Sequence, residues 1–197
     1  MVAYVFQKIA KAGKVAGVDS FAPTKAREWY RNTAKSLSNI SASNFMADKD
    51  SLTSTMNADS IGKMYLFHYD PKHKKTLPYY DTFPLIFPIE MYTDGFLGIN
   101  LHYISPLMRA KLMDALYSTI NNKNYDDTTS LRLSYDILKS ASQFRLFQPC
   151  LKRYLFSHVK SRYFYIPPNQ WDVSIMLPTE RFVGADKSRV FKESQRR

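Results

Sequence analysis

The four histidines are the first residues whose chemistry suggests a metal site. His68 and His102 lie in two aromatic-rich segments that could face each other across a hairpin, whereas His73 lies in a lysine-rich turn and His158 falls much later. Imidazole is a common metal ligand, but the chain has neither an HxH nor an HExxH spacing. We therefore expect histidines that are hydrogen-bonded within the fold, and no bound metal.

Cys150 is the single cysteine, which excludes an intramolecular disulfide and a multi-cysteine zinc site. It precedes a segment with helical spacing, and His158 follows eight residues later. On a helix this spacing separates the two residues by about 12 Å along the axis, which is too far for a nucleophile and its base. The spacing predicts a buried, unreactive thiol.

A metal-dependent nuclease would need several acidic side chains around one cleft. The middle of the chain offers four candidates: Asp70, Asp81, Glu90 and Asp94. Asp70 and Asp94 are explained by turns, and the later Asp126-Asp127 pair is typical of a helix start. The chain also lacks a P-loop, a dinucleotide-binding glycine pattern and a GxSxG motif. We expect no enzymatic activity, no catalytic residue, no cofactor and no small-molecule substrate, with a nuclease as the third hypothesis.

The basic residues are more informative, because 28 Lys and Arg against 17 acids give a net charge of +11. Such a surplus favours nucleic acid or an acidic protein surface as partner. Residues 139–162 contain no acid and alternate cations with aromatics. The candidate binding residues there are Lys139, Arg145, Lys152, Arg153, Lys160 and Arg162, joined by Lys25, Arg27 and Arg31 in the N-terminal region. The alternative interpretation is an aromatic core with a solvated or protein-facing basic surface.

The elements that would position these residues are strands first and helices later. Proline-rich aromatic segments between residues 62 and 104 predict a small curled antiparallel sheet or barrel, with a hairpin at Asp94-Gly95 and a bulge or close approach at Gly98. The prolines of this stretch predict blunted edge strands. Three helices are expected between about 106 and 160, the first starting at Ser105-Pro106, the second at the Asp/Thr cluster and the third over residues 149–162.

The domain organisation follows from composition. Residues 1–60 are predicted to be a basic N-terminal arm with short helices, 61–178 an α+β core, and 179–197 a charged C-terminal tail. We expect "YFYIPP" to rejoin the sheet and Trp171 to close the core. Lysines or prolines interrupt each apolar run, so no membrane partner is expected.

Four stretches carry a resemblance to a known family: "MYLFHYDPKHKKTLPYYDTFPLIFP", "DGFLGINLHYISPLMRAKLMDAL", "SYDILK" and "WDVSIMLPTERF". They resemble small late virion proteins of T-even-type contractile-tailed bacteriophages and their marine cyanophage relatives, over roughly Trp29 to Val183. The resemblance implies a protein made in the bacterial host cytoplasm and incorporated into the virion. It is compatible with a tail or baseplate component and with a protein that guards the ends of packaged DNA, and it assigns no functional residue.

The sequence therefore leads to a non-enzymatic structural protein of a phage virion. Its core and basic arms would dock on other virion proteins in the tail, baseplate or neck. The alternative hypothesis is a protein that binds double-stranded DNA and protects or holds the ends of the packaged genome.

Overall fold

The structure is a computed structural model that describes residues 49–120 and 127–196, with a few isolated positions before residue 49. The helices predicted for the N-terminal arm fall almost wholly outside the described residues. Arg27 and Arg31 also lie outside them, and Lys25 is exposed.

A six-stranded antiparallel sheet forms the centre of the described fold, in the order β1-β7-β2-β4-β5-β6. Its strands are β1 (Leu52–Thr53), β2 (Met64–Leu66), β4 (Leu85–Tyr92), β5 (Gly95–Asn100), β6 (Leu151–Leu155) and β7 (Tyr163–Ile166). β3 (Tyr80–Asp81) and β8 (Phe182–Val183) form a separate two-stranded sheet. The strand predicted in "YFYIPP" is confirmed as β7.

The predicted hairpin is confirmed, with a two-residue turn that places Tyr92 opposite Gly95. A side chain at Gly95 would require the backbone to shift, because an added Cβ would overlap the carbonyl oxygen of Tyr154 on β6. At Gly98 an added Cβ would lie 3.3 Å from the Phe87 carbonyl oxygen, and the register of β4 against β5 shifts beside it. Glycine thus permits both the close strand approach and the bulge.

The sheet is curled but open. The rings of Phe96 on β5 and Tyr163 on β7 lie 6.4 Å apart, although three inter-strand steps would separate them by about 14 Å in a flat sheet. Phe67 sits at the centre of this curl with edge contacts to both rings and to Tyr154. β1 and β6 remain at the two edges, so the barrel form of the prediction is not adopted. The α+β class is confirmed.

Helices cover the other face of the sheet. Helices α1 (Pro106–Ile120) and α2 (Asp127–Gln143) occupy the first two predicted positions, and the hydroxyl of Ser105 accepts a hydrogen bond from the backbone N–H of Met108, as a helix cap does. Leu112 and Leu116 of α1 and Leu138 of α2 are buried against the sheet. Trp171 closes this core as predicted, with its ring 4.9 Å from that of Phe87.

The predicted third helix over 149–162 is wrong. This segment contains the end of a 3-10 turn (Arg145–Cys150), then strand β6 and a second short turn. Leu151, Leu155 and Val159 fit helical spacing, but Leu151 and Leu155 are four residues apart and so also share one face of a strand. Pairing with β5 decides between the two patterns.

The prediction that the prolines of residues 62–104 blunt edge strands is wrong for Pro88. β4 contains Pro88 and lies between β2 and β5. Pro88 is tolerated at this central position because it stands at the register shift, where a proline does not have to donate a ladder hydrogen bond. Its carbonyl oxygen accepts a hydrogen bond from the N–H of Gly62.

Residues 179–196 are built into the fold. After the one-turn helix α3 (Trp171–Ser174), the chain forms β8 and helix α4 (Lys187–Arg196). Thr179 is buried, and Val190 of α4 is fully buried in the core. This part of the predicted charged tail therefore contributes to the interior.

Candidate nucleic-acid interface

A cleft of about 390 Å³ opens between the turn at residues 71–77, strand β3 and edge strand β6. Its walls are mainly aromatic, and its opening carries cations. The aromatic and apolar lining residues are Tyr69, Leu77, Tyr79, Tyr80, Tyr103 and Tyr154; the cationic ones are Lys72, Lys152 and Arg153, with His73 beside them. We call this feature the tyrosine cleft.

Two cations reach the cleft from neighbouring positions of β6. The ammonium of Lys152 lies 4.2 Å from the centre of the Tyr103 ring, a cation–π distance. The guanidinium of Arg153 lies 4.0 Å from the centre of the Tyr92 ring and pairs with Asp94 at the hairpin turn. Arg153 also donates to the carbonyl oxygen of Tyr154. Strand β6 therefore presents both cations in positions fixed by aromatic and acidic neighbours.

The turn on the opposite wall is held by local bonds. Lys74 donates to the carboxylate of Asp70 at 2.7 Å, and this hydrogen bond is the main cause that lowers the pKa of Asp70. Backbone N–H groups of Thr76 and Leu77 donate to the carbonyl oxygen of His73. Lys72 and His73 are exposed on this turn, so the charge of Lys72 faces solvent at the mouth of the cleft.

The floor of the cleft contains a buried carboxylate, that of Asp81. One oxygen accepts hydrogen bonds from the backbone N–H groups of Phe83 and Arg181, and the other accepts from the side-chain amide of Asn100. That second oxygen also lies 2.6 Å from Nδ1 of His102. Burial by itself raises the pKa of Asp81. The neighbouring His102 and these hydrogen bonds lower it by more than burial raises it, so the pKa of Asp81 lies below its usual value. The carboxylate is internally satisfied.

His102 links Asp81 to Thr179, whose Oγ1 lies 3.0 Å from Nε2 of the ring. The order of acid, imidazole and hydroxyl matches that of a hydrolytic triad. All three side chains are buried, and neither His102 nor Thr179 lines the tyrosine cleft. In this structure the three residues join β3, the turn after β5 and the segment before β8, which is a structural role.

Arg109 of α1 extends this buried polar network. Its guanidinium donates to the carbonyl oxygens of His102, Ile104 and Ile175. Burial lowers its pKa, and the neighbouring carboxylates of Glu180 and Asp81 oppose that shift. The backbone that carries the cleft floor is thereby fixed to α1 and to the end of α3.

The other candidate cations lie elsewhere. Lys139 is on α2, 5.6 Å from the ring of Tyr135; Arg145 is exposed on the 3-10 turn; Lys160 and Arg162 are exposed between β6 and β7. Of the six cations proposed between 139 and 162, only Lys152 and Arg153 line the tyrosine cleft. Lys160 lies close enough to Asp70 to lower the pKa of that carboxyl.

The residues considered for metal or nucleophilic chemistry are separated by the fold. His68 packs on Phe83, with ring centres 4.8 Å apart, whereas His102 bonds Asp81. Cys150 is buried and donates to the carbonyl oxygen of Phe147, and His158 contacts the carbonyl oxygen of Asp70. Within the described ranges, no group of three or more His, Cys, Asp or Glu side chains is arranged to hold a metal.

Sequence reasoning missed Lys72, His73 and the tyrosines that share the cleft with β6. The lysines around His73 predict only a turn, and the aromatic segments between residues 62 and 104 predict only a sheet. The available signal was the adjacency of the two segments, a basic turn followed directly by a tyrosine pair. The pairing of β6 with β5, which brings Lys152 opposite them, is a long-range contact that local periodicity does not reveal.

None of the helices in the described part of the chain combines the length and apolar character needed to cross a bilayer.

The family described as phage T4 terminal DNA protecting protein matches residues 6–195. No curated protein and no solved structure matches the chain. The family match covers nearly the whole sequence and confirms the resemblance to T-even-type phage proteins. The chain belongs to the family of the phage T4 terminal DNA protecting protein.

Proposed function

We propose that this protein binds the ends of linear double-stranded DNA and shields them, and that it does so without enzymatic activity. The observation that carries the proposal is the family match over residues 6–195. The net charge of +11 supports it, because a protein that covers DNA of any sequence relies on contacts to phosphates.

The geometry supports a role at ends. The tyrosine cleft places cations beside the half-buried rings of Tyr79 and Tyr80, whereas contact with the outside of a duplex needs cations alone. Stacking surface is of use only where a base can leave the helix, and strand ends are such places. The proposed interface therefore combines phosphate contacts by Lys72 and Lys152 with aromatic contacts.

The sequence alone favoured docking in the tail or baseplate as the leading hypothesis. The family match supports protection of DNA ends better. Under the proposal the protein is made in the host cytoplasm and associates with the phage genome. Other virion proteins are proposed as further partners, through basic residues outside the cleft such as Lys139 and Arg145.

The test is a competition between DNA forms. Purified protein is titrated onto a linear duplex in the presence of excess circular duplex of the same sequence, across a salt series. We expect retention of the linear form and an affinity that falls steeply with salt. Equal competition by circular DNA at every salt concentration would reject end binding.

Protection is measured in the same mixtures with an exonuclease that degrades duplexes from their ends. We expect the protein to slow degradation of linear DNA without slowing an endonuclease that cuts internally. Incubation with Mg²⁺ alone should leave the DNA intact; cutting that is lost in a folded Glu90→Gln variant would instead support a nuclease.

A further inference from the structure

We propose that the tyrosine cleft holds a single unstacked nucleotide from the end of a DNA strand. The inference deepens the proposed function and rests on it, because it names the part of the DNA that enters the protein. Three features of the cleft carry it: its size, its aromatic lining and the position of its cations.

The size of the cleft limits its occupant. A volume of about 390 Å³ falls at the lower end of the range of small-ligand sites, about 300–1,000 Å³. A duplex is about 20 Å across and cannot enter such a space, whereas one base with its sugar can. The DNA body must therefore remain outside while a single nucleotide enters.

The lining suits a nucleobase. Tyr79 and Tyr80 are half-buried, and Leu77 is 42% exposed, so this wall offers apolar surface that the fold leaves uncovered. The Tyr79 ring lies 6.1 Å from that of Tyr103, with their planes 31° apart. Deeper in the cleft, the hydroxyl of Tyr154 is bonded to the amide of Asn100, which places polar groups where the edge of a base would lie.

The cations suit the attached phosphate. Lys152 Nζ lies beside the Tyr103 ring, so a positive charge and an aromatic surface are adjacent on one wall. Lys72 adds charge at the opening, whereas the guanidinium of Arg153 is paired with Asp94. The one carboxylate of the floor, that of Asp81, is held by its four internal donors. A base can then enter the aromatic part while its phosphate remains among the cations.

This arrangement distinguishes strand ends from duplex interiors. A terminal base is stacked on one neighbour, whereas an internal base is stacked on two, so the terminal base is released more readily. Stacking on tyrosine is available to every base, which makes the recognition independent of sequence. The cleft therefore provides a physical reason for preferring ends.

The test uses photo-crosslinking from 5-iodouracil, which couples to an aromatic side chain on which it stacks. Three duplexes carry the probe at the 5′ end, at the 3′ end or in the middle, and crosslinked peptides are identified by mass spectrometry. We expect a terminal probe to crosslink at Tyr79 or Tyr80, whose side chains are only half-buried, and the middle probe not to. Crosslinks outside the cleft, or equal crosslinks from the middle position, would overturn the inference.

A second pocket of the same chain supplies matched controls. It is about 350 Å³ in volume and contains Lys63 and Tyr165. We expect Tyr79→Leu to reduce the terminal crosslink to what Tyr80 alone supplies and to weaken end binding about tenfold, whereas Tyr165→Leu should change neither. Circular dichroism and thermal melting establish that both variants are folded; a folded Tyr79→Leu variant with unchanged crosslinking would reject the cleft.

The outcomes separate this inference from the proposed function. Protein that protects ends but crosslinks elsewhere keeps the function and loses the cleft. If no end preference is found, a trinucleotide carrying 5-iodouracil is used as the probe. Its crosslinking in the cleft would uphold nucleotide binding without end protection, and its failure there would reject the inference.

Discussion

The ammonium group of Lys152 lies 4.2 Å from the centre of the Tyr103 ring, on the edge strand β6 that borders the cleft. The contact places a cation at a defined point of an aromatic wall. Under the proposed function, Lys152 is therefore the residue whose charge is best placed to contact a phosphate of a DNA strand.

Replacing Lys152 by alanine should remove one phosphate contact. We expect the slope of log affinity against log salt concentration to become shallower by about one unit, with the loss of affinity largest at low salt. Fluorescence titrations of a linear duplex at four or more salt concentrations measure the slope. Lys63→Ala, in the separate pocket, should leave the slope unchanged, and an equal effect of both variants would contradict a local role.

Asp81→Asn should destabilise the fold. An amide offers one acceptor oxygen where the carboxylate offers two, and its NH₂ group would face donors such as the side-chain amide of Asn100. Breaking a buried charged network of this kind costs about 3–5 kcal/mol in the free energy of unfolding. Urea denaturation at neutral pH measures it, with the exposed Asp136→Asn of α2 as the control that should change little.

The same carboxyl predicts acid sensitivity. The folded state lowers the pKa of Asp81, so the stabilisation is complete above the unfolded pKa, about 3.9, and is lost as the pH falls through the folded value. The pKa of Glu180 is also lowered in the folded state. Burial raises it, but the neighbouring His102 and Arg109 lower it by more. We expect the free energy of unfolding to drop below about pH 4, less steeply in Asp81→Asn. A drop of equal steepness in that variant would exclude Asp81 as its source.

The two glycines of β5 should respond differently to alanine. At Gly95 the added methyl would overlap the Tyr154 carbonyl oxygen, a backbone atom of β6, whereas at Gly98 the nearest atom lies 3.3 Å away. We expect Gly95→Ala to lower the free energy of unfolding by about 3 kcal/mol and Gly98→Ala by about 1 kcal/mol. Thermal melting compares the pair; equal losses would mean that β6 shifts to accommodate the methyl group.

Cys150 provides a probe of global opening. Burial raises the pKa of its thiol to about 12, so the native protein contains almost no reactive thiolate near neutral pH. We expect a thiol reagent to label the native protein far more slowly than the urea-unfolded protein. Rapid labelling without denaturant would show that the core around Phe147 opens locally.

Short-range signals predicted part of this fold. The Ser105 cap, the Asp94-Gly95 turn and the closing Trp171 each depend on residues close in sequence or on one large apolar side chain, and each is confirmed. The strand β6 was missed because its leucines satisfy helical and alternating patterns equally well. Only its partner β5, some fifty residues earlier, selects the strand.

Of the candidate site, only two cations could be predicted from the sequence. Lys152 and Arg153 were singled out by the acid-free stretch around them, but their cleft also needs Lys72 and Tyr79 from a distant segment. The buried bond between Asp81 and His102 likewise gave no local signal, because the residues are 21 positions apart on different elements. Long-range pairing brings each of these sets together, and residue spacing along one segment does not encode it.

Asp81 also constrains how the chain can be made. Its carboxylate accepts a hydrogen bond from the backbone of Arg181, a residue that the ribosome adds one hundred positions later. Until that residue is available, a nascent chain holds an acceptor that its core cannot fully satisfy. A messenger truncated between these two codons would therefore direct synthesis of a polypeptide that lacks this donor. We expect chaperones and proteases to bind it as an incompletely folded chain.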